Sequence, residues 1–221
     1  MLPIKQSISN FNHYTGTNHP LYIVIHDTGN VTDTDEGNAN YFDGADRGAS
    51  AHYFVDDDSI TQVVKDTDGA WHIGDGHNMF GINNNNSLGI EMCRVKNTVT
   101  ETTENNAIEL VKFLQNKYNI DNAHVVRHYD ASRKICPESY SANNWARWTT
   151  FKNKLGSNLI KNIIQGGVNM SNSEVLQVQK LLNRLGFVGT NGQPLVEDGQ
   201  AGANTNFAIT QAKTVLNNIL K

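Results

Sequence analysis

Leu21-Tyr22-Ile23-Val24-Ile25 restricts the fold of this chain more than any other stretch. Its five consecutive apolar residues, rich in β-branched types, read as a strand buried on both faces. Such a strand belongs at the centre of a sheet covered by helices. The loop just past its end, His26-Asp27-Thr28-Gly29-Asn30, is where sheets of that kind place a site. The chain's 221 residues suffice for one domain of ordinary size and a small second one. A formal net charge of −4 leaves no basic footprint, which argues against a nucleic-acid partner. No apolar run approaches the roughly 20 residues that span a bilayer, so membrane insertion is not expected. The first residues, Met1 to Ser7, contain no continuous apolar segment of the signal-peptide kind, and synthesis in the cytoplasm is the expectation. Two cysteines, Cys93 and Cys136, are too few for a disulfide framework.

Along the chain, a short helix is expected over Asp33–Phe42. Ala51–Val55 and Ile60–Val64 read as two strands around the turn Asp56-Asp57-Asp58-Ser59. That acidic turn lacks the alternating ligands, glycine and distant Glu of a calcium loop, and a solvated turn is the better reading. Trp71 to Gly76 and the run Asn83–Asn86 fall on loops. Leu88–Val95 alternates as a strand with Glu91 and Cys93 on one face. Thr100 opens a helix to about Tyr118, with Ala107, Val111, Leu114 and Tyr118 on one stripe. Val125-Val126 is a short strand leading to His128, and Asn143–Leu155 a further helix with Trp145, Trp148 and Phe151 in its core. Composition then shifts to a linker at 157–172. Ser171-x-x-Glu174 is a capping box opening a helix whose apolar face holds Val175, Val178, Leu181, Leu182 and Leu185. A last helix covers Asn204–Leu220. The expected division is therefore 1–156, a linker at 157–172, and a small all-α domain at 173–221.

The chemistry concentrates in Arg127-His128-Tyr129-Asp130-Ala131-Ser132-Arg133-Lys134-Ile135-Cys136-Pro137. Imidazole nitrogen and thiolate sulfur both bind zinc, and a catalytic zinc takes three protein ligands plus an open position. His128 and Cys136 supply two, and His26, at the end of the buried strand, is the best third. A carboxylate that is not a ligand is then needed as general base. Glu91, in an otherwise apolar strand, fits that role, although on pattern alone it reads equally as a solvent-facing strand residue. Lys134 could place a cation beside an oxyanion; as a loop lysine it could instead be simply solvated, and Arg133 offers the same charge. If Cys136 binds metal, Cys93 is left as a small buried hydrophobe.

Five blocks carry a resemblance. Val24-Ile25-His26-Asp27-Thr28, Ala51-His52-Tyr53-Phe54-Val55, Ala70-Trp71-His72-Ile73-Gly74, Asn86-Ser87-Leu88-Gly89-Ile90-Glu91 and His128 to Pro137 resemble, in order, the type 2 N-acetylmuramoyl-L-alanine amidases. That group includes autolysins, phage endolysins and peptidoglycan recognition proteins. The resemblance covers about 20–155 and implies an α/β fold, a mixed central β-sheet flanked by helices, with one catalytic Zn2+ in an open groove. It assigns the metal to His26, His128 and Cys136, catalysis to Glu91 and Lys134, and the groove lining to Thr28, His52, Trp71 and His72. The implied reaction cleaves the amide between the lactyl group of N-acetylmuramic acid and L-alanine of peptidoglycan. Members of the family that lack the thiolate bind peptidoglycan without cutting it, so the presence of Cys136 favours an enzyme over a pure recognition module. A zinc peptidase cutting within the stem peptide shares the chemistry but not the blocks.

The C-terminal segment is similar to the helical peptidoglycan-binding domain of wall hydrolases, through Val175-x-x-Val178-Gln179-x-x-Leu182-Asn183-x-Leu185-Gly186-Phe187 and Asp198-Gly199-x-x-Gly202-x-x-Thr205-x-x-Ala208-Ile209. It departs from that family at Ala212-Lys213, where Phe-Gln is usual, and in the length of Val188–Val196. Together these resemblances imply a modular wall hydrolase; the N-terminus without a signal-type segment points to a phage or prophage endolysin that acts on the cell wall once released, with an autolysin exported by another route as the alternative.

Overall fold

The computed structural model describes residues 1–164 and 170–219. It divides into two compact units, Met1–Lys152 and Asn153–Lys221.

The first unit is built on a six-stranded sheet of β1 (Ile4–Gln6), β3 (Tyr22–Asp27), β4 (Tyr53–Val55), β5 (Ile60–Gln62), β7 (Ser87–Met92) and β8 (Val125–Arg127), ordered β1-β5-β4-β7-β3-β8. A separate antiparallel pair joins β2 (His13–Tyr14) to β6 (Gly69–Ala70). The β3 strand runs parallel to β7 and β8, β4 is parallel to β7, and β4 meets β5 antiparallel across the aspartate turn. The sheet is therefore mixed, with the apolar run at its interior: Ile23, Val24 and Ile25 are all fully buried.

Because side chains alternate along a strand, β3 feeds two different layers. On one face Val24 packs with Ile73 and Ile82 from the loops and with Ala131 of the short helix that follows β8. On that side Phe54 of β4 meets Ala39 and Phe42 of α1 (Asp35–Asp43). The helix α2 (Glu101–Tyr118) packs on β4 and β7, with Ala107, Leu110, Val111 and Leu114 fully buried. One end is closed by a side chain and the other by a backbone amide. Thr100 accepts from the amide of Thr103, and Asn119 takes a left-handed φ of 54° to return its N–H to Gln115. The aspartate turn contributes here. Asp57 accepts from the amide and hydroxyl of Thr103 at 3.0 and 2.7 Å, while Asp56 accepts from the amides of Asp58 and Ser59. These carboxylates are spent on backbone and hydroxyl donors, which is a fuller role than the solvated turn expected of them.

After β8 a five-residue helix, α3 (His128–Ser132), begins at once, and α4 spans Ala142–Ile164. Asn143, Asn144 and Trp145 have positive φ, so regular α4 geometry starts after them. The division between the units falls inside α4. The helix expected to end at Leu155 continues to Ile164, so the linker expected at 157–172 coincides partly with α4 and partly with 165–169, which lie outside the described residues.

In the second unit, α5 (Asn172–Arg184) opens with the Ser171–Glu174 capping box, and α6 covers Ala203–Ile219. Val178, Leu182, Leu195, Ala208, Ile209 and Ala212 form its core. Leu185, expected on the apolar face, is 62% exposed because it is the C-cap, where the chain leaves the helix. Buried Gln179 pins the connecting loop: its amide nitrogen donates to Asp198, the Gln200 carbonyl and Thr205, and its oxygen accepts from the Gly199 amide. Gly199 has φ of +71°, and a Cβ there would lie 2.7 Å from the Asn172 carbonyl oxygen, so only glycine fits.

Candidate active site

The parallel register of β3 and β7 sets His26 directly beside Glu91. Paired residues of neighbouring strands point to the same face, so an imidazole and a carboxylate emerge together at the C-terminal end of the sheet. The turn from β8 into α3 presents His128. The chain then leaves α3 and brings Cys136 back over the end of β3. Asp27, the residue after His26, fastens that return: its carboxylate accepts from the amides of Glu138 at 3.0 Å and Ser139 at 2.8 Å. Arg94, itself buried, pairs with Asp27 at 2.8 Å and with Glu138 at 3.0 Å.

One ligand-type atom each from His26, His128 and Cys136 thereby lies within 4.8 Å of the others. The Cys136 Sγ to His26 Nδ1 separation is 3.6 Å. A tetrahedral zinc with bonds of roughly 2.0–2.1 Å to nitrogen and 2.3 Å to sulfur would hold such a pair about 3.6 Å apart. The outer nitrogen of each ring is already engaged, His26 Nε2 with His72 Nδ1 at 3.0 Å and His128 Nε2 with Asp75 Oδ1 at 2.8 Å. Both rings therefore keep Nδ1 for the interior of the triad, and supports of this kind orient metal-binding imidazoles. Burial, reinforced by His128 and His72, holds His26 well below the ordinary histidine range. Burial lowers His128 too, against the opposing pull of Asp75. Neutral imidazoles are the form that binds metal. Burial and then Glu91 push the Cys136 thiol upward, which a cation in the triad would reverse.

Glu91 Oε1 stands 3.9 Å from His26 Nδ1. Its Oε2 is buried with no hydrogen-bond partner among the described residues. Burial, then the charge of Asp27, pushes Glu91 up to about 8, with Lys134 opposing the rise. The triad, Glu91, Thr28, Trp71 and Lys134 line a cleft of about 270 Å³. Grooves adjoin it on two sides. One, lined by Asn30, Asp33, Asn38 and Tyr41, shares Thr28 and Glu91 with the cleft. The other, lined by Tyr14, Asp75 and Asn84, shares Trp71, His128 and Lys134.

Residues 16–139 match the N-acetylmuramoyl-L-alanine amidase family. This chain belongs to that family. Among relatives, the amidase XlyA of Bacillus subtilis (strain 168) is 35% identical over 139 residues, 62% of this chain and 44% of XlyA. The B. subtilis amidase CwlH is 32% identical over 162 residues, 71% of this chain and 62% of CwlH. The solved catalytic domain of XlyA matches with a TM-score of 0.62 and 33% identity, covering 70% of this chain and all of that domain. The PlyG catalytic domain matches with a TM-score of 0.63 at 28% identity. The chain spans about half the length of the first curated relatives it matches, 44% and 48%. The mixed sheet with flanking helices is thus the amidase architecture.

Of the residues singled out from sequence, His26, His128, Cys136, Glu91, Thr28, Trp71 and Lys134 come together around the cleft. Trp71 is half-buried against the Tyr14 ring, 5.3 Å between centroids, and its Nε1 lacks a partner among the described residues, as does Thr28 Oγ1. Lys134 sits exposed on the rim. His52 corrects the expected groove lining. It is 0% exposed, its Nδ1 accepts from the Gly89 amide, and its Nε2 faces the Asp68 carbonyl at 2.9 Å, so the ring is spent on the backbone inside the protein and is not among the residues lining the cleft. His72 borders the cleft, but both its nitrogens are taken by His26 and Ser87, which makes it a support for the triad. Two functional residues escaped the sequence reading, Asp75 behind His128 and Asp27 beneath the Cys136 loop. Their only sequence signals are adjacency: Asp27 follows His26, and Asp75 lies three residues after His72. Cys93 is buried and apart from the triad, as expected.

Proposed function

We propose that this chain is a zinc-dependent N-acetylmuramoyl-L-alanine amidase that hydrolyses the lactyl–L-alanine amide of bacterial peptidoglycan. The observation that carries the reading is the buried Glu91 carboxylate, its Oε2 without a partner among the described residues, beside a His26–His128–Cys136 triad in one cleft. Zinc held by these three residues would bring the pKa of a coordinated water to about 7 and polarise the amide carbonyl.

The protein's own groups supply the proton handling. Glu91 faces the reacting centre and takes the proton from the attacking water as the water oxygen bonds to the lactyl carbonyl carbon. It then returns that proton to the L-alanine nitrogen as the C–N bond breaks. A carboxylate that burial has moved up to about 8 is suited to both halves of this exchange near neutral pH. Lys134, on the rim of the same cleft, places a cation toward the charge that develops on the carbonyl oxygen. Thr28 and Trp71 line the same cleft and are the natural residues to meet the substrate. The two adjoining grooves give room for glycan on one side and stem peptide on the other.

For the rest of the chain we propose a catalytic domain ending near residue 156 and a wall-binding helical domain at 173–221, acting on the cell wall. No described helix is long and apolar enough to cross a membrane. The test is digestion of purified peptidoglycan with and without a chelator, followed by mass spectrometry. Chelator-sensitive release of stem peptides with a free L-alanine amine, leaving the glycan intact, is the expected result. Sedimentation with the wall without release would make the chain a recognition module.

A further inference from the structure

The proton positions around His26 can be deduced from a group three hydrogen bonds away. Ser87 Oγ lies 2.6 Å from the Asn83 carbonyl oxygen and 3.1 Å from His72 Nε2. A carbonyl can only accept, and two oxygens at 2.6 Å repel unless a proton lies between them, so the single hydroxyl proton of Ser87 points to Asn83. Ser87 is then left as an acceptor, and His72 must carry its proton on Nε2. The Nδ1 of His72 is consequently a lone pair. Facing it at 3.0 Å, His26 Nε2 must donate, which strips the proton from His26 Nδ1, the nitrogen 3.6 Å from Cys136 Sγ. We infer that Ser87 and His72 are positioning residues that lock His26 in its metal-binding tautomer, through a one-way relay from Asn83 by way of Ser87 and His72. The inference rests on His26 being a ligand, as proposed above.

The surroundings are built to keep this direction. His52, whose ring meets His72 edge-on at 5.7 Å, cannot compete, because its Nδ1 is committed to the Gly89 amide. Gly89 leaves the necessary space: a Cβ at that position would lie 2.7 Å from His72 Nδ1. The asparagine run also acquires a purpose. Asn84 Oδ1 accepts from the backbone amides of His72 and Ile73, at 3.1 and 3.0 Å, so the segment that ends the relay also fixes the backbone of its middle member. Ser87, His72 and His26 are buried and meet one another through neutral groups, in contrast to the carboxylate behind His128.

The relay is tested by histidine-selective 15N NMR on the full-length, chelator-treated protein, and by zinc affinity in competition with a chromophoric chelator. Wild type should show His26 and His72 protonated on Nε2. His72→Leu should weaken zinc binding about 10–100-fold, the usual effect of losing such a support. His72→Asn, whose amide oxygen stands near the Nδ1 position, should recover most of that loss. Ser87→Ala frees His72 to turn its proton toward His26 and should produce a mixed His26 tautomer with weakened zinc binding. A His26 protonated on Nδ1 in wild type would overturn the relay, as would unchanged zinc affinity in both His72→Leu and Ser87→Ala. Should those variants fail to fold, the wild-type tautomers decide. If wild type binds no zinc, the ligand assignment falls and the NMR result alone judges the relay.

Discussion

The two histidines of the triad are held by opposite means. His26 is set in the sheet interior by strand register, and its ring leans on neutral, buried partners. His128 stands at the start of a five-residue helix and leans on Asp75, a carboxylate whose side chain is 46% exposed. Cys136 and Lys134 share the loop side with His128, and a single buried aspartate ties that side to the strand. The strand half therefore supplies fixed distances and a proton acceptor. The loop half supplies charge, and its geometry depends on a few polar clasps. A core position can be kept neutral because packing already decides where the atoms go; a loop position needs charge-assisted bonds to be placed at all.

Breaking the strand half at Glu91 should have the largest effect on turnover. Glu91→Gln is expected to lower kcat by about 10²–10⁴ while zinc stoichiometry stays at wild-type level, since the carboxylate is a base and not a ligand. Normal turnover would remove it from the mechanism. On the loop half, Cys136→Ser should lose zinc and activity together, as read by metal analysis of the purified variant. Asp27→Ala severs the clasp between the halves. It leaves the buried Arg94 paired with the exposed Glu138 alone and two backbone amides without their acceptor, and should cost roughly 3 kcal/mol in denaturant unfolding, with zinc affinity falling alongside. A wild-type midpoint would mean the clasp is decorative. Asp75→Ala should weaken zinc at the low end of about 10–100-fold, and that deficit should shrink with added salt, because the lost pair is partly exposed. A salt-independent deficit would place His128 and His26 in the same class. The smallest change is expected for Lys134→Ala, about tenfold in kcat and largely restored by Lys134→Arg, since a solvated lysine stabilises charge less than a buried donor.

What the sequence disclosed follows the same division. The buried run predicted a central strand, and Ile23–Ile25 are fully buried there. Local capping signals located α2 at Thr100 and α5 at Ser171. The triad was legible because its residues lie in blocks whose order and chemistry resemble a family. The misplacements involve burial and contacts between distant positions. Nothing in Ala51-His52-Tyr53 says that His52 faces a backbone amide and carbonyl inside the protein, and resemblance alone placed it in the groove. Asp75 and His128 are 53 residues apart and meet only through space. The short strands β1, β2 and β6 were also missed. They are two or three residues long, which is too little chain to show a period.

The cleft is open along two sides. A pocket with a closed end can measure a polymer from its terminus; a trough that passes beneath the chemistry cannot. On the proposed reading, a catalyst of this shape would need no free end and would meet its polymer anywhere along its length, so its cuts would not have to proceed from a terminus. Damage to a meshwork would then scale with the number of molecules that reach it, and the mesh would lose mechanical strength long before it dissolved.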